Sequence, residues 1–388
     1  MLMLGPLALF LVLALPAPAA EPYQMNAILS LSGSGSFLGK SESDGLLAIE
    51  GIVNKTGGIA GTPIKFVIAD DQSSPQVAVQ LTNGLIAKGV PLIIGSSLVA
   101  ACSAMAGVAQ NGPVIYCLSP GFHPAKGTYA FSYGISTADL IEVSIRYFRE
   151  RGWKKLALIT PTDASGQDGE RSLDAVLALP ENKSIAVVDR EHFTPTDVSV
   201  AAQVSHVKAS GVQAVVAWGT GTPLGTVLRS AFQAGVDLPM TVSSSNLNYE
   251  EMRQFGAFLP KELYIAGIPS VAPDSLPNGP LRAAATNYVD AFKAIGIRAD
   301  ASQAIAWDPG WILVGAFKKL GLAATASQIR DYILNLHGWY GAAGQYDFRD
   351  GSQRGVTGGS AIVVRWDPAQ SRFVGVSKPG GVPVAQKQ

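Results

Sequence analysis

Short apolar runs alternate with longer amphipathic segments along most of the chain. The short runs are rich in β-branched residues and predict strands at 24–29, 64–70, 92–94, 114–118, 156–160, 185–189, 214–217 and 240–243. Between them, apolar residues recur every three or four positions, which predicts helices at 40–54, 75–88, 140–151, 169–177, 198–210 and 222–234. This alternation predicts an α/β fold in which helices cover parallel sheets on both faces.

Loops after predicted strands are the first place to look for a site, because ligands of such sheets bind at the carboxyl ends of the strands. Gly, Ser and Pro are concentrated in four of these loops, at 32–36, 95–97, 119–121 and 218–223. After 95–97 a helix begins with small side chains at 99–102, and such a helix start exposes backbone N–H groups that suit a carboxylate. An ordinary capped helix has the same pattern.

Residues 1–20 have the pattern of a signal peptide. An apolar run from Leu7 to Leu15 precedes a Pro- and Ala-rich stretch, and cleavage is expected near Ala19 or Ala20. The run is shorter than the roughly 20 apolar residues that span a bilayer, and no Cys follows it to carry a lipid. Residues 1–20 contain no Lys or Arg, which is unusual for a signal peptide. We expect an exported protein; the alternative is a buried or membrane-anchoring segment.

Export bears on the only two cysteines, Cys102 and Cys117. In an oxidising compartment they are candidates for a disulfide bond. A loop of this size would stabilise the fold by roughly 3 kcal/mol in the chain-entropy view. The alternative is two buried free thiols.

Composition excludes several classes of protein. The chain has 388 residues, 47% of them hydrophobic and 15% charged, so it is too apolar to be mainly disordered. At roughly 100–200 residues per domain, this length suggests two or three domains. Because 29 Lys and Arg balance 29 Asp and Glu, a nucleic-acid partner has no electrostatic support. The four His and two Cys form no zinc motif, so no metal is expected.

Nucleotide and enzyme motifs are weak or missing. Gly33 and Gly35 lack the third glycine of a dinucleotide loop, and Gly39-Lys40-Ser41 lacks the earlier glycine of a phosphate loop. There is no G-x-S-x-G element, and no nucleophile, base and orienting group can be assembled. We therefore expect neither enzymatic activity nor a cofactor. His123, directly after a predicted strand, is interpreted as a ligand contact or a structural residue.

Several segments, taken in order and spacing, resemble those of a known family. They are 31–39, 45–54, 57–61, 70–71, 94–95, 119–120, 153–159, 166–169 and 344–351. They include Phe37-x-Gly39, Asp70-Asp71, Ser119-Pro120 and Gly166-x-x-Gly169. Together they resemble the branched-chain amino-acid-binding family of periplasmic solute-binding proteins, which are the receptors of ABC importers.

This resemblance implies two doubly wound α/β lobes, the type I periplasmic binding protein fold, joined by a three-segment hinge with a ligand cleft between them. Lobe 1 is expected at 21–138 and 270–340, and lobe 2 at 139–269 and 341–388. It also implies a periplasmic monomer that closes on a small molecule and delivers it to a membrane permease. Trp307-Asp308-Pro309 is interpreted as packing on the hinge side.

The positions that would hold an α-amino acid differ from those of the family's amino-acid receptors. There, hydroxyls and amides after the third strand and after the S-P turn bind the α-carboxylate, and an acidic residue of the second lobe binds the ammonium. Here the acidic position falls within 244–246, which carries no charge. A buried ammonium without a carboxylate is costly. We therefore expect a ligand other than an α-amino acid.

The remaining residues resemble the branch of the family that binds aromatic carboxylates such as benzoate derivatives. Helix N–H groups, hydroxyls and His123 would hold the carboxylate, aromatic side chains would form the walls, and Asp163 would accept a hydrogen bond from a ring hydroxyl. The predicted ligand-binding residues are Phe37, Ser97, Ala100, Ala101, Cys102, Ser103, Gly121, Phe122, His123, Asp163, Trp218 and Asn246. A helix cap is the alternative for Asp163, and a core position is the alternative for Trp218.

The predicted function is a periplasmic receptor of an ABC importer that binds a small aromatic carboxylate of the benzoate or phenylpropanoid type. The alternatives are a receptor for branched-chain amino acids or small amides, and a ligand sensor subunit.

Overall fold

The structure is a computed structural model that describes residues 21–384. The predicted signal peptide lies outside these residues. The strands, numbered along the chain, are β1 (Tyr23–Leu29), β2 (Ile64–Asp70), β3 (Leu92–Ile94), β4 (Val114–Cys117), β5 (Ala130–Ser132), β6 (Lys155–Pro161), β7 (Ala186–Phe193), β8 (Ala214–Ala217), β9 (Met240–Val242), β10 (Leu263–Gly267), β11 (His337–Tyr340), β12 (Gln345–Asp347), β13 (Ile362–Asp367) and β14 (Arg372–Gly375).

The helices are α1 (Ser36–Lys55), α2 (Pro75–Ala87), α3 (Val99–Val108), α4 (Thr137–Glu150), α5 (Ala164–Leu177), α6 (Ala201–Ala209), α7 (Pro223–Gln233), α8 (Tyr249–Phe255), α9 (Pro280–Lys293), α10 (Ala301–Leu320) and α11 (Ala326–Leu334). Within residues 21–384, no helix combines the length and the apolar character that crossing a membrane requires.

Two sheets form the centre of the fold. The first has the order β2-β1-β3-β4-β5 and all its pairs are parallel. The second has the order β14-β13-β10-β9-β8-β6-β7, parallel except at the β10-β13-β14 edge. The central strands β3, β4, β8 and β9 are buried along their whole length, as expected where helices cover both faces.

The chain crosses from one sheet to the other three times. It leaves the first sheet after β5, returns after β10, and leaves again before β13. On the return, α10 packs along α1 and α11 contacts β4. These crossings and the two parallel-rich sheets confirm the predicted fold class. The predicted lobe boundaries stay a prediction.

Most predicted elements match observed ones. Helices α1 and α5 begin earlier than expected, at Ser36 and Ala164 rather than at 40 and 169. The strand β5 was not predicted, although β3 and β9, which are equally short, were.

Cys102 in α3 and Cys117 at the end of β4 form a disulfide bond in the structure, with their Cα atoms 5.8 Å apart. Both residues are fully buried. The bond therefore joins a covering helix to the sheet beneath it, next to the loop that follows β3.

Asp308 fastens α10 to the hairpin β11-β12. Its carboxylate is fully buried and accepts hydrogen bonds from the N–H groups of Ala342 and Ala343, both at 2.8 Å, and from the Tyr346 hydroxyl at 3.0 Å. A side chain at Gly341 would collide with this carboxylate. Burial raises the pKa of Asp308 to about 6, although the two N–H donors and the hydroxyl pull it down.

We expect Asp308→Ala to lower the free energy of unfolding by roughly 3 kcal/mol, because it leaves two N–H groups and a hydroxyl buried without partners. Urea denaturation measures this loss. Asp290→Ala, an exposed change on α9, is the control and should stay within about 0.5 kcal/mol of the original. Equal stabilities for the two variants would contradict the role given to Asp308.

Candidate functional site

A small cavity lies where the carboxyl ends of the two sheets face each other. The first sheet and its helices contribute Leu38, Ser97, Val99, Leu118, Ser119, Pro120, Gly121 and Ile305. The second contributes Thr137, Ser165, Asp168, Trp218, Thr220, Ser243, Ser244 and Ser245. The cavity volume is about 30 Å³, far below the roughly 300–1,000 Å³ of typical small-molecule pockets. A solute therefore enters only if the two sides separate or side chains move.

On the first side, the loop after β3 and the start of α3 offer hydrogen-bond donors. The Ser96 hydroxyl accepts the N–H of Leu98 at 3.2 Å. The helix then begins at Val99 without a side-chain cap, so the N–H groups of its first turn have no side-chain partner there. The Ser97 hydroxyl is buried and makes no hydrogen bond. Free donors at a helix amino terminus suit an anion.

On the second side, Asp163 and Asp168 have different roles. The Oδ1 atom of Asp163 accepts the N–H groups of Ser165 and Gly166 at 2.9 and 3.0 Å, and it thereby caps α5. Five residues further on, Asp168 lines the cavity. The cap fixes the start of the helix that carries Asp168 into the cleft.

Asp168 bridges the two sides of the cleft. Its side chain is 3% exposed, and its Oδ1 lies 2.7 Å from Nε2 of His123 and 3.8 Å from the Arg171 guanidinium. Its Oδ2 is buried without a hydrogen-bond partner. A Cβ added at Gly121 would lie only 2.8 Å from that Oδ2. The free oxygen therefore lies against the first side of the cavity.

Residues 244–246 carry no charge, as noted above, but the second side of the cavity does include an acidic side chain, that of Asp168. Asp168 was not predicted as a cavity residue because the helix was expected to begin at 169. The capping pattern at Asp163 was the available signal: a helix that begins at Ala164 places Ser165 and Asp168 three residues apart, on one face. Both residues line the cavity.

Trp218 forms the aromatic part of the wall. It follows β8, is 5% exposed, and packs closely on Gly169, where a side chain would collide with the indole. Its backbone N–H donates to the carbonyl of Ile159 at 3.0 Å, which fixes the loop to β6. The indole is part of the hydrophobic core and of the cavity wall at the same time.

Of the predicted ligand-binding residues, Ser97, Gly121 and Trp218 line the cavity, and His123 reaches it through Asp168. The others are outside the wall as it stands. Ala100 and Ser103 are exposed, Phe37 and Asp163 are half-buried, and Ala101, Cys102, Phe122 and Asn246 are buried. The ligand contacts of the whole set stay a prediction.

Asn246 is tied to neighbours beneath the cavity. Its Oδ1 accepts from the Ser243 hydroxyl at 3.1 Å, and its Nδ2 donates to Glu251 at 2.9 Å. The carbonyl of Phe122 accepts from the buried guanidinium of Arg354 at 2.6 Å. Asn246 and Phe122 therefore support the loops that line the cleft.

Two buried glutamates lie on opposite sides of the cleft region. Burial raises the pKa of Glu42 in α1 to about 8; the nearby Ser97 hydroxyl lowers it in part and the charge of Asp71 raises it further. Burial likewise raises the pKa of Glu251 in α8 to about 8, with the hydrogen bond from Asn246 opposing the shift. Within residues 21–384, no group of three or more His, Cys, Asp or Glu side chains is placed to hold a metal ion.

Comparison with known proteins finds a family that matches most of the described residues. A family model described as "Periplasmic binding protein" matches residues 22–371. A leucine-, isoleucine-, valine-, threonine- and alanine-binding protein of Pseudomonas aeruginosa is 28% identical over 196 residues, which cover 50% of this chain and 52% of that protein. The chain thus spans about half the length of the curated relatives it matches.

Solved structures share the whole fold. A branched-chain amino acid transporter substrate binding protein of Streptococcus pneumoniae, in complex with isoleucine, has a TM-score of 0.76 at 20% identity, covering 91% of this chain and 98% of that one. An ABC transporter solute binding protein of Rhodopseudomonas palustris, in complex with benzoate, has a TM-score of 0.75 at 18% identity, covering 95% and 98%.

We expect the stability of the protein to fall as the pH rises from 5 to 8. Glu251 keeps its proton in the native state up to about pH 8, whereas the unfolded chain releases it near the ordinary value of 4.5. In this window the native state binds more protons, so one such group lowers stability by about 1.4 kcal/mol per pH unit. Glu251→Gln should reduce the slope by that amount, measured by urea denaturation at pH 5, 6, 7 and 8.

The control for this prediction is Glu250→Gln, since Glu250 is the exposed neighbour of Glu251 in the same helix. Its slope should equal that of the unaltered protein. An unchanged slope in Glu251→Gln would mean that Glu251 is ionised in the native state.

Proposed function

The chain belongs to the periplasmic binding protein family, and on that premise we propose that it is a receptor that binds a small solute between two lobes and delivers it to the membrane permease of an ABC importer. The observation that carries this proposal is the cavity, whose wall comes from both sheets and holds an unpartnered polar atom from each, Ser97 Oγ and Asp168 Oδ2. A site of this kind is completed only when both sides come together.

Lobe closure is the mechanism of this receptor. One lobe moves with the first sheet and the other with the second sheet, and the hairpin β11-β12 moves with the first because Asp308 fastens it to α10. A solute that touches both lobes makes more contacts in the closed state, and it shifts the equilibrium by that difference in affinity. The permease then recognises the closed shape. The protein is exported to the periplasm and acts as a monomer without a cofactor or a catalytic step.

We propose a small aromatic carboxylate as the ligand. Its carboxylate binds to the first-turn N–H groups of α3 and to the Ser97 hydroxyl, while its ring lies between Trp218 and the aliphatic side chains of Leu38 and Ile305. An indole face and aliphatic walls favour a flat apolar body. The benzoate complex of a protein with the same fold supports this proposal.

An α-amino acid is the second candidate, and one observation favours it. Asp168 brings a carboxylate oxygen without a partner to the cavity wall, and a ligand ammonium is a strong partner for such a group. The names of the curated relatives point the same way. In an aromatic ligand, the same oxygen accepts a hydrogen bond from a ring hydroxyl.

In a thermal-shift screen of residues 21–388, we expect benzoate derivatives or phenylpropanoids to raise the melting temperature of the protein. Ligands that bind only the native state stabilise it by mass action. Trp218→Ala should weaken binding of the active compound at least about tenfold, since it removes the aromatic wall. Trp366→Ala removes an equally buried indole from β13, away from the cavity, and should keep the original affinity. Equal losses in both variants would contradict the placement of the ligand.

We expect Asp168→Asn to separate the two candidates. The change removes a charge that an ammonium needs, so amino-acid binding should weaken about 100-fold. Binding of a hydroxylated aromatic acid should change less than about tenfold, because the amide oxygen still accepts a hydrogen bond. Isothermal calorimetry with isoleucine and 4-hydroxybenzoate measures both. Asp174→Asn, an exposed change in the same helix, is the control; if it matches Asp168→Asn, the role of Asp168 is disproved.

A further inference from the structure

Glu42 is a carboxyl group that the fold buries without obvious compensation. It lies in α1, is fully buried, and neither of its carboxyl oxygens makes a hydrogen bond. Burial of an ionised carboxylate in this condition is costly, so the neutral form is favoured. The pKa of Glu42 is raised to about 8, and the group therefore carries a proton at neutral pH.

Ser97 connects Glu42 with the cavity. Ser97 lines the cavity together with Leu38, which lies one turn before Glu42 on the same buried face of α1. The Ser97 hydroxyl also lowers the pKa of Glu42. The side chain is buried, and its oxygen has no hydrogen-bond partner within the described residues. A hydroxyl donates one proton and accepts at two lone pairs. It can therefore accept from an acid on one side and donate to a ligand on the other.

The other ionisable groups around Glu42 do not replace this partner. Asp71, after β2, accepts from the Ser30 hydroxyl at 2.7 Å and from the Ser73 N–H at 2.8 Å, and its charge raises the pKa of Glu42. Tyr133, after β5, is held neutral because burial raises its pKa. On α10, Asp308 uses its oxygens on the β11-β12 hairpin. These groups disfavour a negative charge on Glu42 or leave it unaffected.

We propose that, when a ligand binds, Glu42, as a neutral acid, comes to donate its proton to the Ser97 oxygen, which has no partner in the structure, and thereby orients the Ser97 hydroxyl to donate to the carboxylate of the ligand. Glu42 is a positioning residue that never touches the ligand, and the inference rests on the proposed function. No proton is transferred between groups when the ligand binds. When Glu42 ionises, the Ser97 hydroxyl reorients and donates its proton to the Glu42 carboxylate. The ligand carboxylate then faces a lone pair of the Ser97 oxygen and the nearby negative charge of Glu42. Anion binding then has an upper pH limit.

The test is the affinity for benzoate, whose own charge is constant between pH 6 and pH 9, measured by calorimetry at pH 6, 7, 8 and 9. In the unaltered protein the affinity should be about tenfold weaker at pH 9 than at pH 7, as expected for one proton with a pKa of about 8. In Glu42→Gln, whose amide still donates to Ser97 but cannot ionise, the two values should agree within about twofold. A tenfold loss in Glu42→Gln would overturn the proposal.

Two further variants isolate the path through Ser97. Ser97→Ala should bind benzoate more weakly at pH 7 and show no fall by pH 9; a retained tenfold fall would mean that the charge of Glu42 acts without the hydroxyl, which contradicts the proposal. Glu251→Gln removes the other buried carboxyl with a pKa of about 8 and should keep the fall. If Glu42→Gln does not fold, as judged by circular dichroism, the Ser97→Ala and Glu251→Gln profiles still decide.

Failure of this inference can be told from failure of the proposed function. Unaltered protein that binds no aromatic acid and no amino acid at pH 6 overturns both. Benzoate binding that is equally strong at pH 7 and pH 9 leaves the receptor function intact and overturns only the role of Glu42.

Discussion

A parallel sheet places the carboxyl ends of all its strands on one edge, and the rest of this structure depends on that constraint. Each crossover helix starts at the same edge, so loops and helix amino termini with unpaired N–H groups are collected there. Here two such edges face each other across three chain crossings. The loops after β3 and β4 meet those after β6, β8 and β9. The polar cavity is therefore a consequence of sheet topology before any ligand is considered.

Four buried carboxyl groups with raised pKa values show how local hydrogen bonding determines charge. Asp300 and Asp308 each accept at least two backbone N–H bonds, and burial raises their pKa values only to about 6. The side chain of Glu251 accepts one hydrogen bond and that of Glu42 none, and their pKa values rise to about 8. The aspartates fasten helix α10, whereas the glutamates lie behind the walls of the cleft. Groups whose burial is poorly compensated are found near functional sites more often than elsewhere.

The sequence was sufficient for the alternation of strands and helices up to residue 243, because buried strands and amphipathic helices have distinct periods. It was sufficient for Ser97, Gly121 and Trp218 as cavity residues, because they follow predicted strands. It was insufficient for Asp168, whose place depends on the first residue of a helix, the least certain feature of a pattern. Glu42 was out of reach as well, since a glutamate in an amphipathic helix normally faces solvent, whereas this one is fully buried in a helix that packs along α10.

Gly121 has a consequence for how far the cleft can shut. Its missing side chain leaves just enough space for Asp168 from the opposite lobe, and a methyl group there would press on both Asp168 and Val99. The size of the residue at position 121 therefore limits how closely the two sides of the cleft approach each other. Glycine allows the closest approach, and each added carbon atom would keep the two sides further apart. A receptor of this kind can exchange tight closure for a larger ligand through a single residue that need not contact the ligand at all.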